Sequence, residues 1–201
     1  DESNRFNKGG YKNLIAYKQA VLIFDLNVEF CERYMTYKSN KSYRTYDQMI
    51  QAARSGKQNI VEGSLEKSLK MNIKLTGVGR ASFGELREDY EDFLRTRKLP
   101  IWDKNDKRVW EIRNAYKARG SAAPFVSGFT SSAYKTNLPN KTYMSYKSNS
   151  EGFANLMLTL LAQENYLLDQ MIRSLEEKFV KEGGYSENLF KKRIEFRNEK
   201  N

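Results

Sequence analysis

Residues 14–35 read LIAYKQAVLIFDLNVEFCERYM. Within them Leu14, Tyr17, Val21, Phe24, Val28, Cys31 and Met35 recur at spacings of 3, 4, 3, 4, 3 and 4, one stripe on a helix of about 3.6 residues per turn. Leu22, Leu26 and Phe30 widen the stripe, and a stripe that wide faces a core rather than a single partner helix. The spacing predicts a helix from about Asn13 to Met35, ended by the polar stretch from Lys38 to Ser42.

The same period recurs downstream. Tyr46, Met49, Ala53, Gly56 and Ile60 form a second seam, predicting a helix over Tyr43 to Glu62 that Gly63 stops. Ala53, Ser55 and Gly56 are small and admit a close neighbour. A third helix is expected from an N-cap at Ser68 to Lys98, where Leu99-Pro100 ends it. Its apolar face is Ile73, Leu75, Val78, Leu86, Tyr90, Phe93 and Leu94. Asp103 is placed to cap a shorter helix, Lys104 to Ala118, carrying Val109, Ile112 and Tyr116. A fourth long helix is expected from an N-cap at Ser150 through Phe153, Leu156, Met157, Leu160, Leu161, Leu167, Leu168, Met171, Leu175 and Phe179 to Gly183-Gly184. Ser186 caps a last helix from Glu187, with Tyr185 and Phe190 placed as a hydrophobic staple. Between residues 119 and 150 the period is lost, and the stretch reads as a loop insertion.

These seams predict an all-α fold, an antiparallel up-down-up-down four-helix bundle over 11–182 with the 119–150 loop insertion, followed by a suffix helix over 183–201. The length of 201 residues suits one such domain with an appendage. No apolar run of 18 residues is present, which predicts a soluble chain with no membrane partner. The single cysteine, Cys31, cannot form an internal disulfide and fits a reducing, cytoplasmic setting. The chain begins at Asp1, which leaves room for a removed leader.

The chain has no histidine. It thereby lacks the commonest general base, the Ser-His and Cys-His nucleophile pairs and the commonest zinc ligand. Gly77-Val-Gly79 with Gly84 lacks the strand and the full spacing of a dinucleotide loop. Gly77, Ala81 and Gly84 share a helical face instead, which points to close helix packing. Glu85, Glu88, Asp89, Glu91 and Asp92 cluster, but Arg87, Arg95 and Arg97 are interleaved, so an ion-pair network or subunit contact is expected over a bound cation. Asn59 and Glu62 lie three apart before Gly63 and read as a hydrogen-bonding pair that fixes the helix end. No cofactor, no metal and no enzymatic activity are expected. Asn140-Lys-Thr142 matches a glycosylation sequon that means nothing without secretion.

Thirty-five Lys and Arg against twenty-five Asp and Glu give a net charge of +10, which favours polyanions. Segment 119–150 holds Arg119, Lys135, Lys141 and Lys147 and no acid, beside Phe125, Phe129, Tyr134, Tyr143 and Tyr146. Cations among aromatic rings suit single-stranded nucleic acid, engaging phosphates and bases together. Lys191, Lys192 and Arg193 in the suffix, and Arg44, Arg54, Lys57, Lys70, Lys74 and Arg80 earlier, complete the candidate set. The competing reading is a soluble surface with surplus lysines.

Three segments also carry a resemblance: YKNLIAYK at 11–18, QAARSGKQNIVEG at 51–63 and GELREDYEDFL at 84–94. They are similar to a bacterial family of small four-helix bundles. It includes proteins encoded by intervening sequences in 23S ribosomal RNA genes and the accessory variability determinant of diversity-generating retroelements. The end of the chain, from Phe153 through Lys191-Lys-Arg193, looks like a branch with an added suffix. The resemblance implies the bundle, a five-fold ring, and binding of a reverse transcriptase and RNA without chemistry. The function expected is therefore a non-catalytic, nucleic-acid-associated accessory protein that forms a homo-oligomer. The alternative is a protein–protein assembly scaffold.

Overall fold

Helix is the one regular element that forms among the described residues, which are 10–35, 40–115 and 143–199 of the computed structural model. A 3-10 turn, Gly10–Asn13, leads into α1 (Ile15–Tyr34). There follow α2 (Asn40–Leu65), α3 (Leu69–Thr96), α4 (Lys107–Ala115), α5 (Ser150–Glu182) and α6 (Tyr185–Asn198). A second 3-10 turn, Tyr146–Ser148, precedes α5. The all-α expectation holds for the described residues, and none of their helices is long and apolar enough to cross a membrane.

α1 packs on α2 and α5, and α3 packs on the same two helices. The buried residues of α1 are Ala16, Ala20, Ile23, Leu26, Asn27, Phe30 and Cys31, together with Lys18. The seam is therefore rotated from the predicted one, and Tyr17, Val21, Phe24 and Val28 lie at its margin. Two features hid it: small Ala16 and Ala20 face the interior, and polar Asn27 sits at its centre. Asn27 donates from Nδ2 to the Met49 carbonyl at 3.1 Å and accepts from the Tyr90 hydroxyl at 2.8 Å, so its burial leaves no polar atom orphaned. Rings close around it: Phe30 meets Tyr90, Phe93 and Phe153 edge-on at centroid distances of 4.8, 4.9 and 5.4 Å.

The α2 seam stands as expected at Met49, Ala53, Gly56 and Ile60, all buried. Gly63 does not end the helix, which continues to Leu65. Gly63 is buried against α3, where a Cβ would lie 2.9 Å from Asn72 Oδ1. Close approach of α2 and α3 runs through Gly56 and Gly79. A Cβ on Gly56 would meet Phe83 Cζ at 2.6 Å, and one on Gly79 would meet the Gly56 carbonyl oxygen at 3.1 Å. The predicted packing stripe is thus corrected: Gly77 and Gly84 look onto open space and Ala81 is exposed. Residues two apart on a helix point about 200° from one another, so the glycine that matters is 79, not 77.

Boundaries shift where capping chemistry was misread. Asp106, not Asp103, caps α4, its Oδ1 accepting from Arg108 N at 2.8 Å. Asn149, not Ser150, caps α5, its Oδ1 accepting from Gly152 N at 2.7 Å. Gly183 ends α5 at φ 76°, the left-handed conformation that favours glycine. α6 begins at Tyr185, so Ser186 lies inside its first turn, and Gly184 N donates to Glu187 Oε2 at 3.2 Å. In α5 the last buried residue is Leu168; Met171 and Leu175 are half-buried and Phe179 is exposed. No residue of α6 is buried.

Candidate nucleic-acid interface

The basic residues singled out from sequence divide into five situations. Arg44 and Arg54 on α2, and Lys70 and Lys74 on α3, are exposed. Lys70 and Lys74 are one turn apart on the same face, and no acid engages either among the described residues. Lys57 is half-buried and Arg80 exposed, and both have partners. The Lys57 ammonium lies 4.0 Å from the centre of the Phe24 ring on α1, and Arg80 pairs with Asp169 on α5. Lys191, Lys192 and Arg193 are exposed on α6, with Lys191 paired to Glu187 at 3.6 Å. Lys135 and Lys141 lie outside the described residues.

Tyr143, Tyr146 and Lys147 correct the reading of 119–150 as a loop whose cations and rings face a ligand. Tyr143 is buried. The Tyr146 hydroxyl donates to Glu111 Oε2 at 2.6 Å, and its ring meets Trp102 edge-on at 5.7 Å. Burial and the neighbouring Glu111 carboxylate push the Tyr146 hydroxyl up to about 12. Lys147 is buried too, its ammonium against the Glu29 carboxylate and 5.7 Å from the centre of the Phe153 ring. The Lys147 carbonyl accepts from Arg33 Nη1 at 3.3 Å and from the Tyr34 hydroxyl at 3.5 Å. Residues 143–149 thus anchor the chain to α1 and α4 before α5 begins. Lysine alone in a polar stretch carries no signal of a buried partner, which is why sequence placed it outward.

The Asn59, Glu62 and Gly63 motif also separates. Asn59 Nδ2 donates to the Ser55 carbonyl at 2.9 Å, and Ser55 Oγ lies 2.9 Å from Ser82 Oγ on α3. Glu62 is exposed and does not share that contact. Asn59 therefore braces α2 against α3 with Ser55, rather than fixing a helix end with Glu62.

Between α2 and α3 runs a groove of about 430 Å³, with Glu85 and Asp89 along α3 facing Gln48 and Gln51. The Asp89 carboxyl is raised by burial and by the charges of Asp92 and Glu85. Elsewhere in the acidic stretch Arg87 holds Glu91 at 2.9 Å and Arg95 holds Asp92 at 2.7 Å, while the Arg97 guanidinium lies 3.8 Å from the centre of the Phe93 ring. Among the described residues no three His, Cys, Asp or Glu side chains converge as metal ligands. Cys31 is buried beside Asn27, and burial with the charges of Asp89 and Glu32 pushes its thiol up to about 12.

Besides Asn27 and Lys18, sequence reasoning missed Asn155 and Glu164, polar side chains buried in α5. Asn155 accepts from Trp102 N at 2.8 Å and donates to the Pro100 carbonyl at 3.0 Å, clamping the segment after α3 onto α5. Glu164 is fully buried, and among the described residues neither carboxylate oxygen has a hydrogen-bond partner. Both are polar, so an apolar period passes over them.

The described residues thus define an all-helical protein with an exposed, partly unpaired set of cations. No family profile, curated protein or solved structure matches the chain.

Proposed function

We propose that this chain is a non-catalytic, nucleic-acid-associated accessory protein of the cytoplasm. In this reading it is an antiparallel up-down-up-down four-helix bundle that assembles as a homo-oligomer and presents cations to RNA or to a polymerase–RNA complex. Contacts between neighbouring helices support the bundle, because numbers that rise on one helix fall on the next. Asn27 and Phe24 meet Met49 and Lys57; Gly56 and Gly63 meet Phe83 and Asn72. Arg80 pairs with Asp169 and Pro100 with Asn155; Gln19 bonds Leu160 and Phe30 meets Phe153. On that register the start of α3, the end of α5 and α6 fall at one end of the molecule, and Arg44 near the other.

The observation that carries the reading is the pair Lys70 and Lys74, exposed and engaged by no acid among the described residues, at the end where α5 passes into α6 with its exposed Lys192 and Arg193. With a net charge of +10 these cations attract phosphate backbones, and no base-reading module is recognisable. The resemblance to the intervening-sequence and retroelement family adds a reverse transcriptase as partner and a pentamer as the oligomer. A filter-binding titration of single-stranded RNA at two salt concentrations tests the RNA half. Log K should fall by about 0.7 per phosphate contacted for each decade of salt. Lys70→Glu with Lys74→Glu should weaken binding and flatten that slope. If no RNA is retained at about 50 mM salt, where electrostatic binding is strongest, the assembly scaffold is the better reading. That second reading is favoured by the exposed apolar side chains of α6, including Leu189, Phe190 and Phe196.

A further inference from the structure

α3 carries opposite charges at the two ends of its outer face. Its buried residues, among them Gly79, Phe83, Leu86 and Tyr90, lie on one side of the helix. At about 100° per residue, Lys70, Lys74, Gly77, Ala81, Gly84 and Glu88 lie on the other. Lys70, Lys74, Ala81 and Glu88 are exposed. Among the described residues no ion pair engages Lys70, Lys74 or Glu88, whereas Arg80, Arg87, Glu91 and Asp92 beside them all have partners.

The middle of this face is bare. Glycine inside a helix weakens it relative to alanine. Gly56, Gly63 and Gly79 offset that loss by letting α2 and α3 approach, since a Cβ on them would meet atoms at 2.6, 2.9 and 3.1 Å. A Cβ on Gly77 or Gly84 would meet nothing within 4 Å among the described residues. The chain itself makes no use of the room that these two leave.

The order of charges has a twofold symmetry. Lys74 and Glu88 each stand seven residues, about 10 Å, from Ala81. Seven residues are close to two whole turns, so both charges stay near the direction of Ala81. When a second copy is turned end over end about an axis through Ala81, its Glu88 meets the first copy's Lys74, and its Lys74 meets the first copy's Glu88. Gly77 then faces the second copy's Glu85 and leaves room for that side chain. A parallel alignment would set like charge on like.

We propose that the outer face of α3 binds a second copy of this chain, the two helices packing antiparallel through Gly77, Ala81 and Gly84 with Lys74 of each against Glu88 of the other. Both copies use the same patch, so the contact closes at two. No side chain larger than a methyl stands between the helices, which lets the axes approach toward the short end of the usual 8–10 Å. The contact goes beyond the reading above, because it needs no RNA and differs from a five-fold ring, two of which it would join. It covers Lys74, so pairing and RNA compete for that residue.

Light scattering of the full chain, from micromolar to submillimolar concentration, tests the pairing. Ala81→Arg sets two arginines together on the axis, at an exposed position that folding tolerates, and should halve the parent's mass. Lys74→Glu and Glu88→Lys should each weaken pairing several-fold, since either opposes like charges at both ends of an exposed contact. The two reversals in one chain, or the two variants mixed, restore opposite charges and should recover the parent's mass. Circular dichroism checks that every variant is folded. A parent at the single-chain mass, Ala81→Arg at the parent's mass, or a double reversal no better than the single ones overturns the pairing. Ala81→Arg also separates this proposal from the RNA reading, because it keeps every lysine. If it keeps the parent's mass yet loses RNA, the face belongs to RNA and the pairing is overturned. If it halves the mass while parent and variant alike retain no RNA, the pairing stands and the RNA reading falls.

Discussion

Tyr90 on α3 donates its hydroxyl hydrogen to Asn27 Oδ1 on α1 at 2.8 Å, with both side chains fully buried. The pair joins two helices across the middle of the core, and Asn27 extends the link to α2 through the Met49 carbonyl. A buried polar group costs little only while its partners are in place, so this network sets the relative rotation of three helices. Tyr90→Phe should cost about 1–2 kcal/mol, and Asn27→Leu more, since it strands the Tyr90 hydroxyl and removes the bond to the Met49 carbonyl. Urea unfolding at constant slope measures both; an unchanged midpoint for Asn27→Leu would show that the network contributes nothing.

The glycines of α2 and α3 should respond in opposite directions. Gly56→Ala drives a methyl into Phe83 and should destabilise by about 1–3 kcal/mol. Gly77→Ala meets open space in the middle of a helix and should stabilise by about 0.5–1 kcal/mol. Thermal unfolding of the two variants side by side decides the assignment of the packing stripe. Equal shifts would mean that α2 and α3 do not approach through Gly56.

Glu164 gives the fold a pH dependence. Burial holds its carboxyl well above the usual carboxylate range, so the folded chain keeps it protonated while the unfolded chain ionises it. A folded-state pKa above the unfolded one means that its stability is fully present below the unfolded value. Stability is then lost as pH rises toward the folded value. Glu164→Gln should remove that loss, raising stability at pH 7 relative to pH 4. Glu164→Leu should stabilise by roughly 1–3 kcal/mol at pH 7, since it exchanges an unpartnered polar group for an apolar one among Leu160, Leu161 and Leu168. Unfolding midpoints across pH 4 to 8 check it, and parallel profiles for parent and Glu164→Gln would refute it.

Periodicity made the helices legible because it survives small errors of phase, but the phase itself was not legible in α1. There apolar side chains occupy both the interior and its margin, while Asn27 and Lys18 occupy buried positions that hydropathy assigns to solvent. The candidate interface was legible only as composition. Which cation is free depends on what folds beside it: among the described residues Lys70 and Lys74 meet no acid, Arg80 meets Asp169, and Lys147 meets Glu29. Those acids are 89 and 118 residues away in the chain, beyond any local pattern.

Lys147 separates the two pictures most sharply. Read from sequence, it is a cation in a basic, aromatic stretch and belongs to the RNA surface. In the fold its ammonium meets Glu29 and its carbonyl takes hydrogen bonds from Arg33 and Tyr34, so it ties the segment before α5 to the end of α1. Lys147→Ala leaves Glu29 to Arg33 alone, and should cost about 1–2 kcal/mol, discounted from a fully buried pair because Arg33 remains and Glu29 is 28% exposed. The reversed pair, Glu29→Lys with Lys147→Glu, should recover part of that loss, whereas either reversal alone should be worse than Lys147→Ala. RNA retention per folded molecule should not change in Lys147→Ala, while Lys70→Glu with Lys74→Glu lowers it at unchanged stability. A drop in RNA retention with no change in unfolding midpoint would instead return Lys147 to the surface that sequence first suggested.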